Sequence, residues 1–217
     1  MHFIYILFTS SYTPQPRFVQ NKTMKKIILL VVGIGFNAVM YGQGTINIDT
    51  EKSVINWSGS KLFQFNQHYG TVKFLKGTFF WSGDMVMGGY FEADMNSIVN
   101  TDGNYNDMLV SHLKNEDFFD VKNHPLAQLK IVEALYVEED KIEVEALLTI
   151  KEISHPIKFR MSIEERDRTY VFKSKFVIDR TRWGISYKSK GIIGSAKESI
   201  ISDAIAFEVV LVTKPGC

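Results

Sequence analysis

From residue 43 onward, apolar and polar residues alternate with a period of two, the mark of strands with one face turned inward and the other to water. In Lys141–Lys151, Ile142, Val144, Ala146, Leu148 and Ile150 interleave with Glu143, Glu145, Leu147 and Thr149. The next run sets Ile157, Phe159, Met161 and Ile163 against Lys158, Arg160 and Ser162, and Lys151-Glu152-Ile153-Ser154-His155 between them is short enough for a hairpin. The same rhythm predicts strands at Phe172/Ser174/Phe176/Ile178, Ile205/Phe207/Val209/Leu211, Leu129/Ile131 and Phe91/Ala93/Met95, with two earlier ones over Val54–Ser58 and Val72–Phe80. Gly83 and Gly88-Gly89 mark turns. One stretch departs from this period: Asn104–Leu113 places Met108, Leu109 and Leu113 at helical spacing. Asp117-Phe118-Phe119-Asp120, followed by His124-Pro125, then reads as a long connection held down by its aromatic rings.

No Pro/Ser-rich linker and no internal repeat divides this region, so residues 43–217 are expected to form one all-β domain: an antiparallel barrel of about eight strands with a short helical insertion. Closure is favoured because it removes exposed strand edges. A barrel of that size is either packed solid or holds one small ligand. Its predicted inward sets carry no Asp, Glu, Lys or Arg. An interior cavity would therefore be oily and suited to an acyl or isoprenoid chain; a plain side-chain core is the alternative.

The first 42 residues follow another pattern. They contain Arg17, Lys22, Lys25 and Lys26 and no acid, and the longest apolar run, Ile27–Phe36, follows the two lysines. A basic segment, about ten apolar residues and small residues near Gly42 make up the layout of a secretory signal peptide, and the run is short of the roughly 20 residues a membrane-spanning helix needs. Met24 reads as the biological start, so residues 1–23 are expected to be an unfolded upstream extension, residues 24–42 the signal peptide, and the product periplasmic or secreted. The whole chain has 25 Lys+Arg against 24 Asp+Glu over 217 residues; without its leader it would have 175 residues and a net charge near −3. That charge gives no basic surplus for nucleic acid, and no stable membrane insertion is expected.

Chemistry is sparse. With 45% hydrophobic and 13% aromatic residues the chain can bury a core. Its single cysteine, Cys217, excludes a disulfide within the chain, a CxxC pair and cysteine-based metal sites. His68, His112, His124 and His155 show neither HxH nor HExxH spacing, so no metal is expected. There is no GxSxG elbow, P-loop or cofactor fingerprint outside the leader, and no catalytic residue is assigned.

Five segments occur in the order and spacing of the bacterial YceI-like family: His68-Tyr69-Gly70, Asp94-Met95-Asn96-Ser97-Ile98, His112–Asp120 with Pro125, Leu148-Thr149-Ile150-Lys151, and Ile178-Asp179-Arg180-Thr181-Arg182-Trp183-Gly184-Ile185. The chain resembles that family over roughly Thr45–Val212. It departs at Glu152, where Gly is usual, which suggests another hairpin turn type and leaves the register open, and at Trp183, where Phe or Tyr is common, which could reshape one end of the cavity. The resemblance implies a lipocalin-like exported barrel that binds a polyisoprenoid, an isoprenoid quinone or a fatty amphiphile, as carrier, storage or stress-related sequestration protein, monomeric or as a homodimer. The ligand's tail is then expected along Phe91, Met95, Leu129, Ile131, Val144, Leu148, Phe159, Phe172 and Phe176.

His68 either meets a polar head at the mouth or is a turn histidine tied to backbone. Of Phe118 and Phe119, adjacent in an acidic loop, one is expected to plug the barrel and the other to cover the insertion, with gating of ligand entry as the sharper reading. Arg180 either binds a ligand's phosphate or carboxylate or, better favoured, pairs with Asp179, Asp94 or Asp117. Trp57 is expected to seal one end by packing. A solid barrel that serves as an envelope interaction module, and an enzyme acting on an amphiphile, are the alternatives.

Overall fold

The computed structural model describes residues 43–63, 67–103, 106–191 and 199–215; the leader, its proposed cleavage site and Cys217 lie outside them. The eight alternating runs become strands, and a ninth that the pattern did not predict, β1, precedes them among the described residues: β1 (Gln43–Asn47), β2 (Val54–Ser60), β3 (Gln67–Ser82), β4 (Met85–Asn100), β5 (Leu126–Glu138), β6 (Lys141–Ile150), β7 (Ile153–Arg166), β8 (Thr169–Asp179) and β9 (Ala204–Val212). The helical spacing yields one helix, α1 (Asn106–Lys114). All pairings are antiparallel, in the order β1-β3-β2-β9-β8-β7-β6-β5-β4, and a β3–β4 ladder returns the sheet to its start. Strands β2–β9 thus close an eight-stranded barrel, with β1 as an added strand. It pairs with the far half of β3, Asn47↔Thr78 to Gln43↔Ser82, where β2 no longer reaches.

Three hairpin turns, β3–β4, β5–β6 and β7–β8, cluster at one end of the barrel, and α1, the Asn115–His124 loop and the β8–β9 connection gather at the other. At the hairpin end the inward residues pack solid. Phe79, Val86, Ile142 and Phe172 have no exposed surface, and Phe79 stacks on Phe172 at 4.1 Å while meeting Phe91 edge-on at 4.9 Å. Burying such side chains is worth about 1.5–3 kcal/mol each, which makes this end the stable floor of the barrel.

Local chemistry explains the irregular places. Gly70 faces Trp57 across the β2–β3 ladder, and a Cβ there would stand 1.8 Å from the Val99 carbonyl and 2.9 Å from the indole, so only glycine lets three strands converge. Asp94–Ile98 forms a bulge on β4: Asp94 Oδ1 accepts the Asn96 amide at 3.0 Å, and the Ser97 hydroxyl both accepts the Lys73 amide at 2.8 Å and donates to the Asp94 carbonyl at 2.6 Å. The Lys151-Glu152 turn is the tight two-residue kind, with both residues at positive φ (50° and 62°) and Ile150 opposite Ile153. The register is thereby fixed, and the chain adopts the left-handed geometry with ordinary side chains at both turn positions.

The wall is not uniformly bonded. The β7–β8 ladder runs from Arg166↔Thr169 only as far as Met161↔Ser174, although β7 extends back to Ile153 and β8 on to Asp179. Pro156, which has no amide to donate, lies in this unpaired half of β7. The Phe159 and Phe176 rings, stacked at 5.0 Å, bridge the parting strands, and a 3-10 turn at Arg180–Trp183 leans on β7 through a 2.8 Å bond between His155 Nε2 and the Arg182 carbonyl.

Candidate functional site

Above the packed floor, the half of the barrel nearer α1 is open: a cavity of about 1160 Å³ enters from that end. Typical small-molecule pockets occupy about 300–1,000 Å³. The inward faces of the strands build its wall. Phe91, Met95, Leu129 and Ile131 contribute from β4 and β5, Leu148, Phe159 and Phe176 from β6, β7 and β8, and all seven line the cavity as the alternation places them. Val144 and Phe172 do not. They lie deeper, 1% and 0% exposed, inside the packed floor beside Ile142 and Phe79. Strand alternation tells which face a residue is on but not how far down the bore it sits, so the period alone does not separate these two from the lining. A bore that is solid throughout, the alternative drawn from pattern, is not what these strands build.

The insertion also differs from expectation. Phe118 and Phe119 are both buried, meet edge-to-face at 5.4 Å, and both border the cavity. Alternation of neighbouring side chains holds for extended chain, whereas here the backbone is coiled by the bonds Phe118 N–H to Asn115 carbonyl (3.2 Å) and Phe119 N–H to Leu113 carbonyl (3.1 Å). Trp57 borders the same cavity rather than sealing an end. Trp183 is fully buried behind the wall, its indole N–H donating to the Leu148 carbonyl at 3.1 Å and its ring edge-on to His155, so it shapes the wall without lining the bore.

Arg180 borders the cavity but is committed to the protein. Its guanidinium is 0% exposed and donates to the carbonyls of Ser202 (3.0 Å), Ile185 (2.6 Å), Tyr187 (3.0 Å) and Ile201 (3.2 Å). Its carboxylate partner is Asp203 at 3.5 Å, not Asp179, Asp94 or Asp117. Asp179 instead caps the 3-10 turn, accepting from the Thr181 amide and hydroxyl. Burial pulls the Arg180 pKa below its ordinary value, with Asp203 and then Asp179 opposing the shift. The guanidinium also lies 5.3 Å from the Phe118 ring, which ties the insertion to the β8–β9 connection.

The mouth carries the polar groups. His68, at the start of β3, lines the cavity and places Nδ1 2.6 Å from Asp102 Oδ2 at the end of β4. Asp102 is almost wholly buried and also accepts from Asn100 Nδ2 at 2.7 Å, whose amide reaches Asn106 Oδ1 of α1 at 2.8 Å. Because an ionised carboxylate only accepts, the His68 Nδ1 carries the proton and Nε2 is left as the ring's second polar atom. Asp102 escaped sequence reading because Thr101-Asp102-Gly103 has the composition of a surface turn; its position opposite His68, across 34 residues, follows from the β3–β4 register alone. Lys61 and Lys188 also border the opening and were not singled out either.

His112, His124 and His155 stay apart from this pair. His112 meets Tyr187 edge-on at 4.5 Å, His124 lies 3.8 Å from both Asp120 and Glu152, and His155 holds the 3-10 turn.

Comparison with known proteins agrees with this architecture. Among curated protein sequences none matches this chain. Solved structures do. BcnA of Burkholderia cenocepacia superposes with a TM-score of 0.57 at 18% identity, over 77% of this chain and 99% of its own. A polyisoprenoid binding domain from Saccharophagus degradans, implicated in plant cell wall breakdown, gives 0.58 at 16% identity over 81% and 100%. At such identities the likeness is one of fold. The sequence itself matches the family model described as YceI-like domain over residues 46–213, the barrel from β1 to just past β9, and the chain belongs to the YceI-like family.

Proposed function

We propose that this protein is an exported binding protein, not an enzyme, which holds the tail of a long-chain isoprenoid, an isoprenoid quinone or a fatty amphiphile in the open half of the barrel, with the polar head beside His68. The observation that carries this reading is the combination of an apolar cavity of about 1160 Å³ with a polar pair at its mouth. Burial of a tail contributes about 0.8 kcal/mol per methylene. Association and ordering cost roughly 4–15 kcal/mol, so a chain of about ten methylenes barely offsets them and longer chains bind. An apolar wall supplies this term without any charged anchor, and His68, held in one tautomer by Asp102, offers Nε2 as an acceptor to a hydroxyl of the head. The family resemblance, and the name of the Saccharophagus domain, point to the same ligand class.

The test is mass spectrometry of an organic extract of the protein purified from its native host, together with titration of the emptied protein with a fluorescent polyprenyl probe. A co-purifying long-chain amphiphile and saturable one-site uptake are expected. No lipid and no uptake overturn the reading.

A further inference from the structure

We infer that Ser174 is a second polar subsite, at the bottom of the cavity, which takes an uncharged oxygen at the buried end of the ligand. Ser174 stands on the inward face of β8 between Phe172 and Phe176, lines the cavity and is only 8% exposed. Across the ladders it lies opposite Met161 on β7 and Val209 on β9, and Met161 lies opposite Ile142 of the packed floor. None of these neighbours has a side-chain oxygen or nitrogen. Among the described residues the Ser174 hydroxyl has no hydrogen-bond partner. Ser53, buried to a similar degree, shows the ordinary arrangement: its hydroxyl donates to the Val212 carbonyl and accepts the Val212 amide at 2.9 Å. The other polar residues that border the cavity belong to its mouth, save Gln128, whose amide turns outward to Glu92.

A hydroxyl enclosed by apolar side chains is costly to leave unpaired, and an ordered water needs about two to four polar partners to be held. The side chains around Ser174 offer it no second one. A tail that is hydrocarbon to its tip leaves the hydroxyl without a partner, whereas a tail ending in oxygen supplies one. Because a serine hydroxyl both donates and accepts, a hydroxyl, carbonyl or ether oxygen fits. A carboxylate or phosphate does not: among the described residues no Lys, Arg or His borders the cavity at this depth, and a buried charge without a counter-charge costs far more. Ser174 lies five residues down β8 from Asp179 at the mouth, about 16 Å along the strand. With His68 above and Ser174 below, the cavity matches a long chain with a neutral polar group at each end. This rests on the proposed function and narrows its ligand from any long amphiphile to a bipolar one.

The experiment is displacement of the fluorescent polyprenyl probe from the emptied full chain by hexadecanol and by the diol that carries a hydroxyl at each end of the same chain. The wild type, Ser174→Ala and Ser174→Thr are compared. Ser174→Ala is expected to weaken the diol about ten-fold while hexadecanol binds as before or more tightly, and Ser174→Thr, which keeps the hydroxyl, to retain most of the diol's advantage. The denaturation midpoint of the empty Ser174→Ala protein is expected to stay or rise, since the hydroxyl bonds nothing in the protein. An affinity ratio of the two chains that is the same in wild type and Ser174→Ala overturns the inference, and so does a lower midpoint, which would mark the hydroxyl as structural; in both cases the proposed function stands, because the chains still bind. A wild-type protein that takes up neither the probe nor either chain overturns the proposed function, and the subsite falls with it.

Discussion

Lys151 and Glu152 both hold the left-handed conformation that glycine takes at no cost. For other residues it costs about 1–2 kcal/mol. Replacing Glu152 by Gly removes that strain and adds some unfolded-state freedom, so a net gain of about 0.5–1 kcal/mol is expected in denaturant titration. An unchanged or lower midpoint would show that Glu152 makes a compensating contact. Arg180 gives the opposite case. Its side chain is the shared partner of four backbone carbonyls and Asp203, so Arg180→Met leaves buried acceptors without donors. A loss of about 3–5 kcal/mol is expected, and Arg180→Lys recovers little because an ammonium lacks the planar fork. Both residues were visible in the sequence as family-motif positions. Arg180's role was not, because its acceptors lie on backbone up to 22 residues away that no side-chain pattern encodes.

At the scale of elements, β3, β4 and β5 are joined on their outer face by a polar cluster that the alternation hides. Glu92 occupies an outward position yet is buried, since it accepts from the Tyr90 hydroxyl at 2.6 Å and pairs with Lys76 at 3.2 Å. The Tyr90 bond foremost, with Lys76 behind it and burial opposing, holds the Glu92 carboxyl below its ordinary value, and the same bond pushes Tyr90 up to about 12. A carboxyl depressed by folding stabilises the native state above its unfolded pKa of about 4.3, and that contribution disappears as pH falls through the lower folded value. Tyr90 acts in the reverse sense: its contribution is complete below pH of about 10 and is lost as pH rises through the folded value near 12. Glu92→Gln is expected to cost about 1.5–3 kcal/mol at neutral pH and to flatten the acid limb of stability against pH, measured by urea unfolding from neutral to acidic buffer. Strand existence and facing were legible in the apolar period; this cluster was not, because period two assigns water to every outward position.

Across the whole molecule, the barrel divides into a floor that carries stability and an upper half that leaves room. The two respond differently to substitution. Phe172→Ala opens a hole in the floor and is expected to cost about 3–5 kcal/mol while polyprenyl uptake persists. Ala93→Phe, which fills the cavity from β4, is expected to keep the fold and reduce uptake at least tenfold. Uptake lost in the first variant or kept in the second would mean that the ligand lies elsewhere. The sequence made the barrel legible because closure and facing follow from a simple period. The boundary between floor and cavity was not, since depth along the bore is set by strand stagger, and Val144 and Leu148, two turns of the pleat apart on β6, lie on opposite sides of it.

The parting of β7 from β8 gives the wall a property that its circular plan conceals. A hoop bonded all the way round can widen only by breaking a continuous ladder, but here the ladder is complete near the floor and open above Met161 and Ser174, where the stacked Phe159 and Phe176 rings and the His155 bond to the Arg182 carbonyl span the slit. The upper barrel is therefore a split collar: its girth adjusts by sliding one ring over another, with no backbone bond to break. Amides of β7 and β8 that point into the slit are expected to exchange with deuterium well ahead of their neighbours bonded to β6 and β9, and a tail of larger cross-section is accommodated by spreading the slit while the floor keeps its diameter.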